Sequence, residues 1–357
     1  MDKRINVGVM FGGKSGEHEV SLNSSYNVIR AIDRAQYDVT LIGITREGRW
    51  SIYTGDVKNI KEDCWESDDE HNKWDFSLFT DEDFAKTDII FPVMHGTFSE
   101  DGTLQGLFEM LDKPYVGCGV LGSALAMDKC VSKTLFEAAG IPVAKGVTLF
   151  KQEIIENMAL QCNKIENQFE YPVFVKPANM GSSVGIAKAH DREELEEALR
   201  DAIKYDIKIL VEEFIDGMEI EIAALGNEDV MISEPGWIKP CNEFYDYEAK
   251  YLSGDDSEVV IPAPIPADKA EQVKSYAARA FKALNCSGLS RIDFFVTNKD
   301  QRVIINEINT LPGFTNISMY PKLWANSGIG YSALIGKLIE LGMERYEKRK
   351  ELLFKKQ

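Results

Sequence analysis

The segment SRIDFFVTNKDQRVIINEIN, residues 290–309, sets charged side chains inside two apolar runs. The polar NKDQ between the runs reads as a turn, so the segment predicts a β-hairpin. Side chains alternate across a strand. Arg291, Asp293 and Phe295 therefore share one face of the first strand, and Ile305, Glu307 and Asn309 share one face of the second. If those faces coincide, two carboxylates and an amide converge beside a guanidinium, while Ile292, Phe294, Ile304 and Ile308 fill the opposite face. Buried carboxylates need a partner or a metal. Oxygen ligands without Cys or His select Mg2+ or Mn2+, and such sites usually complete their octahedron with substrate phosphates. The plainer alternative is a surface hairpin with an ion pair from Arg291 to Asp293 or Glu307.

A second chemical feature is KPANMGSSVGIAKA, residues 176–189. Lys176 precedes a soft loop of Gly181, Ser182, Ser183 and Gly185, whereas the usual nucleotide loop places lysine after its glycines and opens a helix. Here the alternation of Ile186, Lys188 and His190 predicts a second strand instead. Lys129 falls on a predicted helix over 123–140, and Lys250 in an aromatic and charged segment, 235–260, too long for an ordinary loop and read as a lid. Pro312 and Gly313 form a turn whose backbone N–H groups can face an anion. Each lysine alone reads more readily as solvated surface. Gathered with Arg291 around the carboxylates and the Gly/Ser loop, they suit a Mg–nucleoside triphosphate.

The elements that must position these groups are legible in outline. Residues 5–11 and 39–45 read as strands, as does the start of DIIFPVMHG (88–96). Leu22, Tyr26 and Ile29 recur at helical spacing behind Ser21 as a cap, and Leu104, Leu107, Phe108 and Leu111 share one helical face. This βαβα order implies a parallel sheet with its loops gathered at one end. The acidic EDCWESDDEHNKWD, 62–75, has no periodicity and reads as a solvated insert. The fold class is α/β plus α+β, with an N-terminal α/β domain over 1–121, a central α+β domain over 122–210, and a C-terminal domain over 211–357 led by the strand KILVEEFI (208–215).

The 357-residue length fits two or three domains. A net charge of −18 argues against nucleic acid or an anionic membrane surface as partner. The short apolar run INVGVMF is neither signal peptide nor membrane span, so a cytoplasmic location is expected. Six cysteines without metal spacing read as reduced thiols.

The ordered motifs GGKSGEHEVS (12–21), HGTFSEDGTLQG (95–106), SALAMDK (123–129), KPANMGSSVG (176–185), VEEFIDGMEIE (211–221), FYDYEAKYL (244–252), SRIDFF (290–295) and NEINTLPGFT (306–315) resemble the ATP-grasp fold, and within it the D-alanine–D-alanine ligase family. The resemblance implies two α+β units clamping ATP, with Lys129 and Lys176 on its α- and β-phosphates and the loop of Ser182 and Ser183 folded over them. It implies Glu212 at the adenine amino group, Glu213 lining that pocket through its backbone, Glu219 at the ribose, and Asn306 beside the nucleotide. Lys250 and Arg291 would hold the transferred phosphoryl, and Asp293, Glu307 and Asn309 two Mg2+ ions, which Mn2+ can replace. Glu19 would bind the ammonium of the first D-alanine and join Ser182 and Tyr251 in a hydrogen-bonded triad. His95, Ser318 and Met319 would line the substrate site, with Ser318 and Lys250 on the second carboxylate, and Arg291 and the Gly313 N–H would meet the tetrahedral oxyanion. Tyr251 is a candidate acceptor for the amine proton. The resemblance also implies a homodimer and a role in peptidoglycan precursor synthesis. D-serine as second substrate is a close alternative. D-lactate is disfavoured by EAKY around Tyr251, other ATP-grasp ligases by GEHEVS and HGTFSEDGT, and a non-catalytic nucleotide binder by the retained ligands.

Overall fold

The computed structural model describes residues 4–239 and 258–353. Three sheets organise them. The first contains β1 (Ile5–Gly12), β2 (Tyr37–Ile44), β3 (Trp50–Tyr53), β4 (Asn72–Trp74) and β5 (Ile89–Pro92), in the order β4-β3-β2-β1-β5. β1 runs parallel to β2 and β5, as a βαβ order requires, whereas β3 and β4 extend the edge antiparallel.

The stretch 62–75 is not a solvated insert. It carries a short 3-10 turn, Trp65–Ser67, and the edge strand β4. Trp65 is fully buried, edge-on to Phe11 with ring centroids 4.9 Å apart. Gly43 makes room for it, since a Cβ there would stand 2.4 Å from the indole. One buried aromatic among acids leaves no period to read, which is why pattern analysis passes over it. The first helix spans His18–Ala31, starting before Ser21. Ser21 is therefore no cap: its buried hydroxyl accepts from Gly12 N–H and donates to the Val93 carbonyl, tying the helix to β1 and to the chain beyond β5.

The second sheet contains β6 (Gly146–Phe150), β7 (Val173–Pro177), β8 (Ala187–Ala189) and β9 (Lys208–Glu213), in the order β6-β9-β7-β8. The strand at 208–213 thus lies inside this sheet, between β6 and β7, rather than leading the last domain, and a boundary at 210 would cut it. The third sheet is built on β10 (Gly217–Gly226), with β11 (Val230–Ile232), β12 (Gly236–Lys239), β13 (Glu258–Val260), β14 (Gly288–Thr297) and β15 (Val303–Asn309), in the order β13-β12-β10-β14-β15 and β11 also on β10. β12 and β13 pair antiparallel, so both ends of the stretch 235–260 are strands. Its interior, with Lys250 and Tyr251, lies outside the described residues.

The expected single helix over 123–140 is two, Val120–Met127 and Lys129–Ala138. Asp128 breaks it by leaving helical backbone and capping the second with its carboxylate, which accepts from Cys130 and Val131 N–H at 3.1 Å. Ala126 and Phe136 pack with Ile220, Ile292 and Phe294, so these helices share a core with the third sheet. The helix Tyr331–Lys350 returns to the first sheet, where Leu334, Ile335 and Leu338 join Val7, Val9 and Ile89.

Candidate active site

A cavity of about 460 Å³ opens between the second and third sheets. Its walls include Lys129, Lys176, Ser182, Ser183, Glu212, Glu213 and Glu219, and its floor Arg291, Asn306, Glu307 and Asn309. Apolar surfaces from Phe174, Ile186, Phe214, Met218, Trp237 and Phe295 form the remainder.

The floor follows from strand register. Arg291 pairs with Asn309 and Asp293 with Glu307, so the two carboxylates face each other across neighbouring strands. A bulge after Asp293 then shifts the register, pairing Phe294 with Ile305 and Phe295 with Ile304. Asn306 is the extra residue and reaches the cavity beside Glu307, while Ile305, expected on the polar face, turns into the core with Ile292, Phe294 and Ile308. Strict alternation cannot anticipate such an insertion.

Asp293 is 1% exposed and accepts two hydrogen bonds from Arg291, from Nε at 2.8 Å and Nη2 at 2.7 Å. Arg291 Nε also lies 3.1 Å from Glu221 on β10, a buried carboxylate that the sequence reading passed over inside MEIE. Among the described residues no three His, Cys, Asp or Glu side chains form a metal cage. Glu307 and Asn309 line the cavity, whereas Asp293 is not among its walls and has both oxygens on Arg291; oxygen donors of this kind are those a hard cation takes together with phosphates and water.

The lysines come from two elements, the helix Lys129–Ala138 and β7. Lys129 opens its helix with its N–H on the Ala178 carbonyl, and its Nζ donates to the Met180 carbonyl at 2.7 Å and stands 3.7 Å from Glu307. Lys176, on β7, reaches Glu212 at 2.7 Å and Asn306 at 3.4 Å. Burial pulls its ammonium down, but Glu212, Glu307 and Glu219 outweigh that and hold it above the usual lysine range. Lys133, one turn beyond Lys129, meets the other Glu212 oxygen at 2.5 Å. Burial raises the Glu212 carboxyl, yet the two lysines bring it below the usual carboxylate range. The spacing of Lys129 and Lys133 on one helix face was a readable signal for the second cation. Glu213 lines the cavity, and its side chain accepts from Lys145 N–H at 2.9 Å.

The loop over the cavity joins β7 to β8, an antiparallel pair. Ser182 and Ser183 both adopt left-handed backbone, with φ of 49° and 62°. Such a conformation costs a non-glycine residue about 1–2 kcal/mol, and strain of this kind gathers at ligand clamps. The loop touches the first domain through Ser182, whose hydroxyl donates to Glu17 Oε1 in a short hydrogen bond. A Cβ at Gly181 would lie 2.9 Å from the other Glu17 oxygen.

Glu17 therefore replaces Glu19 as the carboxylate at the loop. Glu19 lies two residues into the helix, its side chain 57% exposed and paired with Arg46 at 2.5 Å, and Arg46 also holds Asp63 at 2.7 Å. GEHEVS offers two glutamates two residues apart, which face different sides of a helix. The choice depends on where the helix begins, and Glu17 is its N-terminal boundary residue.

Behind Glu17 stands a buried cluster. Glu100 lines the cavity, with an oxygen 3.9 Å from His95 Nδ1. Burial and the Glu17 charge push its carboxyl up to about 7 against the pull of His95. Burial lowers the His95 imidazole, but Glu100 and Glu17 bring it above the usual histidine range. His95 is not a cavity wall: Nδ1 bonds the Leu311 carbonyl at 2.8 Å and Nε2 the Ser24 hydroxyl at 3.3 Å. Gly313, Ser318 and Met319 likewise lie beyond this cavity, Gly313 and Ser318 on the turn after β15 and Met319 at the start of the helix Met319–Asn326. There Ser318 Oγ accepts from Thr315 N–H at 2.9 Å, and the Ser24 hydroxyl accepts from Phe314 N–H at 3.1 Å, binding the turn to the first domain.

Two α+β sheets facing each other across a cation-lined cavity, with a Gly/Ser loop between antiparallel strands, define an ATP-grasp protein. Residues 6–118 match the family described as D-ala D-ala ligase N-terminus, and residues 135–340 the family described as D-ala D-ala ligase C-terminus. The chain is 49% identical to a D-alanine–D-alanine ligase of Acetivibrio thermocellus over 97% of its own length and 98% of the relative's. It is 50% identical to one of Ruminiclostridium cellulolyticum, covering 96% of both. Among solved structures it is similar to the D-alanine-D-alanine ligase from Coxiella burnetii, at a TM-score of 0.84 and 34% identity, over 98% of this chain and 96% of that one. It is equally similar in fold to the VanG D-Ala:D-Ser ligase from Enterococcus faecalis, at a TM-score of 0.84 and 36% identity, over 95% of this chain and all of that one. The chain belongs to the D-alanine–D-alanine ligase family.

Proposed function

We propose that the protein joins two D-alanine molecules to D-alanyl-D-alanine at the expense of ATP. The observation that carries this reading is the cross-strand pairing of Asp293 with Glu307 beneath a serine loop that closes onto Glu17. It brings a phosphate-binding half and a carboxylate suited to a substrate ammonium to one cavity. A carboxylate is a poor acyl donor. In the first step an oxygen of the first D-alanine's carboxylate attacks the γ-phosphorus and ADP leaves, giving D-alanyl phosphate. In the second step the amine of the second D-alanine attacks the acyl carbon, phosphate leaves, and the amine's proton passes to solvent or a nearby base.

The chain's own work is positioning and charge neutralisation, which dominate phosphoryl transfer. Lys129 and Lys176 serve the nucleotide phosphates, Arg291 the transferred phosphoryl and the oxyanion, and Glu17 the first ammonium, with Ser182 fixing Glu17 in place. Asp293, Glu307 and Asn309 would hold Mg2+, with Mn2+ able to substitute, and the bound ion supplies neutralisation of phosphate charge. Gly313, Ser318 and Met319, with His95 and Glu100 in support, form the side of the site next to the first domain. A homodimer and a cytoplasmic location accompany this reading; no helix among the described residues is long and apolar enough to cross a membrane.

The VanG likeness favours one second reading, in which D-serine is the second substrate. An apolar pocket rejects an added hydroxyl only weakly. Incubating the protein with Mg-ATP and D-alanine, alone and with D-serine or D-lactate, tests both by ADP release and product mass. The expected product is D-alanyl-D-alanine in every mixture. A dominant mixed D-Ala–D-Ser product would shift the assignment, and ADP release independent of any amino acid would end the ligase reading.

A further inference from the structure

Lys133 has no part in the roles set out above, yet it is 7% exposed and pairs with Glu212, which does line the cavity. Its Nζ is 2.5 Å from Glu212 Oε1, and Lys176 holds Oε2 at 2.7 Å. Glu212 is itself 2% exposed, so one buried carboxylate is shared by the buried Lys133 and the partly buried Lys176. If Lys176 serves the phosphates, as the proposed function has it, the bound nucleotide draws Lys176 away from Glu212. A buried carboxylate left without a cation takes up a proton rather than remain charged. One of the two lysines must therefore stay behind.

We propose that Lys133 is a positioning residue for base selection, the resident counter-ion that keeps Glu212 an anionic acceptor while Lys176 turns to the phosphates. An ionised carboxylate only accepts hydrogen bonds. It welcomes a purine 6-amino group and repels a 6-keto oxygen, whereas a protonated Glu212 can donate to the keto group. Lys133 thus sets discrimination through Glu212 without touching the base. The charged and titratable groups facing Glu212 among the described residues are Lys133 and Cys130 from the helix and Lys176 from β7; Glu219 on β10 and Glu307 on β15 act on it by way of Lys176. Its partner on β6 is Gly146, which carries no charge.

The test compares Lys133→Met, Lys133→Gln and Lys133→Arg with the unaltered protein, using Mg-ATP and Mg-ITP between pH 6 and 8. Equilibrium titration gives affinity, and D-alanine-dependent nucleotide turnover gives KM and kcat. Loss of a charge-assisted partner predicts ATP affinity weaker by about tenfold or more in the Met and Gln variants, with kcat changed less. The ATP-over-ITP preference should fall by about tenfold, by the same principle. Because the ionised form is the acceptor, ATP affinity in these variants should decline as pH falls, while the unaltered protein stays flat, its Glu212 being held below the usual range. Lys133→Arg should restore both the preference and the flat profile. Met and Gln variants that keep the preference and the flat profile, or that weaken ATP and ITP equally at every pH, would overturn the proposal. Should Lys133→Met fail to fold, the Gln and Arg variants decide it. The titrations need no turnover, so an unaltered protein without D-alanine-dependent activity would sink the ligase reading and leave this test intact.

Discussion

Glu17→Gln should disable the protein's use of D-alanine while Glu19→Gln leaves it nearly intact. Glu17 is buried at the cavity and joined to the Ser182 hydroxyl across the boundary between the first sheet and the loop. A hydrogen bond to a charged group is worth about 1.5–3 kcal/mol, and each 1.36 kcal/mol is a factor of ten. Neutralising Glu17 while keeping its shape therefore predicts a loss of roughly 10- to 150-fold in kcat/KM for D-alanine. Glu19 is half exposed in a surface pair with Arg46, and exposed pairs contribute about 0–1 kcal/mol, so Glu19→Gln should change the rate by about twofold or less. The assay is coupled ADP release with D-alanine varied at saturating Mg-ATP, after thermal melts establish that both variants are folded. An intact Glu17→Gln enzyme, or a crippled Glu19→Gln enzyme, would refute the argument that the helix start selects the carboxylate.

The same cluster sets a pH dependence of stability. Glu100 is pushed up to about 7 from an ordinary 4.5, so its contribution is complete below 4.5 and is lost as pH rises through about 7. His95 is also raised, and its contribution is likewise lost as pH rises through its folded value. Urea midpoints should therefore decline from pH 5 to 8, and Glu100→Gln should flatten that decline; an unchanged slope would count against the cluster. Trp65→Ala should cost about 3–5 kcal/mol in chemical denaturation, because the indole is fully buried against Phe11 and Gly43. A cost below about 1 kcal/mol, the range of surface changes, would mean that the stretch 62–75 is after all a solvated insert.

How far the sequence speaks depends on whether the information is local. The strands carrying Asp293 and Glu307 announce themselves by alternation and by the NKDQ turn, and β8 by alternation at Ile186, Lys188 and His190. The bulge at Asp293 is set by how β14 packs between β10 and β15, so alternation put Ile305 on the wrong face. β9 reads correctly as a strand, but its sheet is fixed by β6 and β7, which lie dozens of residues away. Asp128 is a cap signal in plain view, obscured because apolar residues recur on both sides of it.

The misplacement of Glu19 and the omission of Lys133 have one physical origin. Motif likeness tells which segment reaches a site, but not which of two like residues in it becomes buried. Burial gives a carboxylate or ammonium leverage, since an exposed charge is screened and a buried one must be answered by a partner. Glu17 is answered by Ser182, and Glu212 by Lys133 and Lys176. Glu19 is answered by Arg46 in the open, where the pair is worth little. The residues that steer the chemistry of this cavity are therefore those whose charges the fold has removed from water and then matched, and Lys133 meets that condition as fully as Lys176.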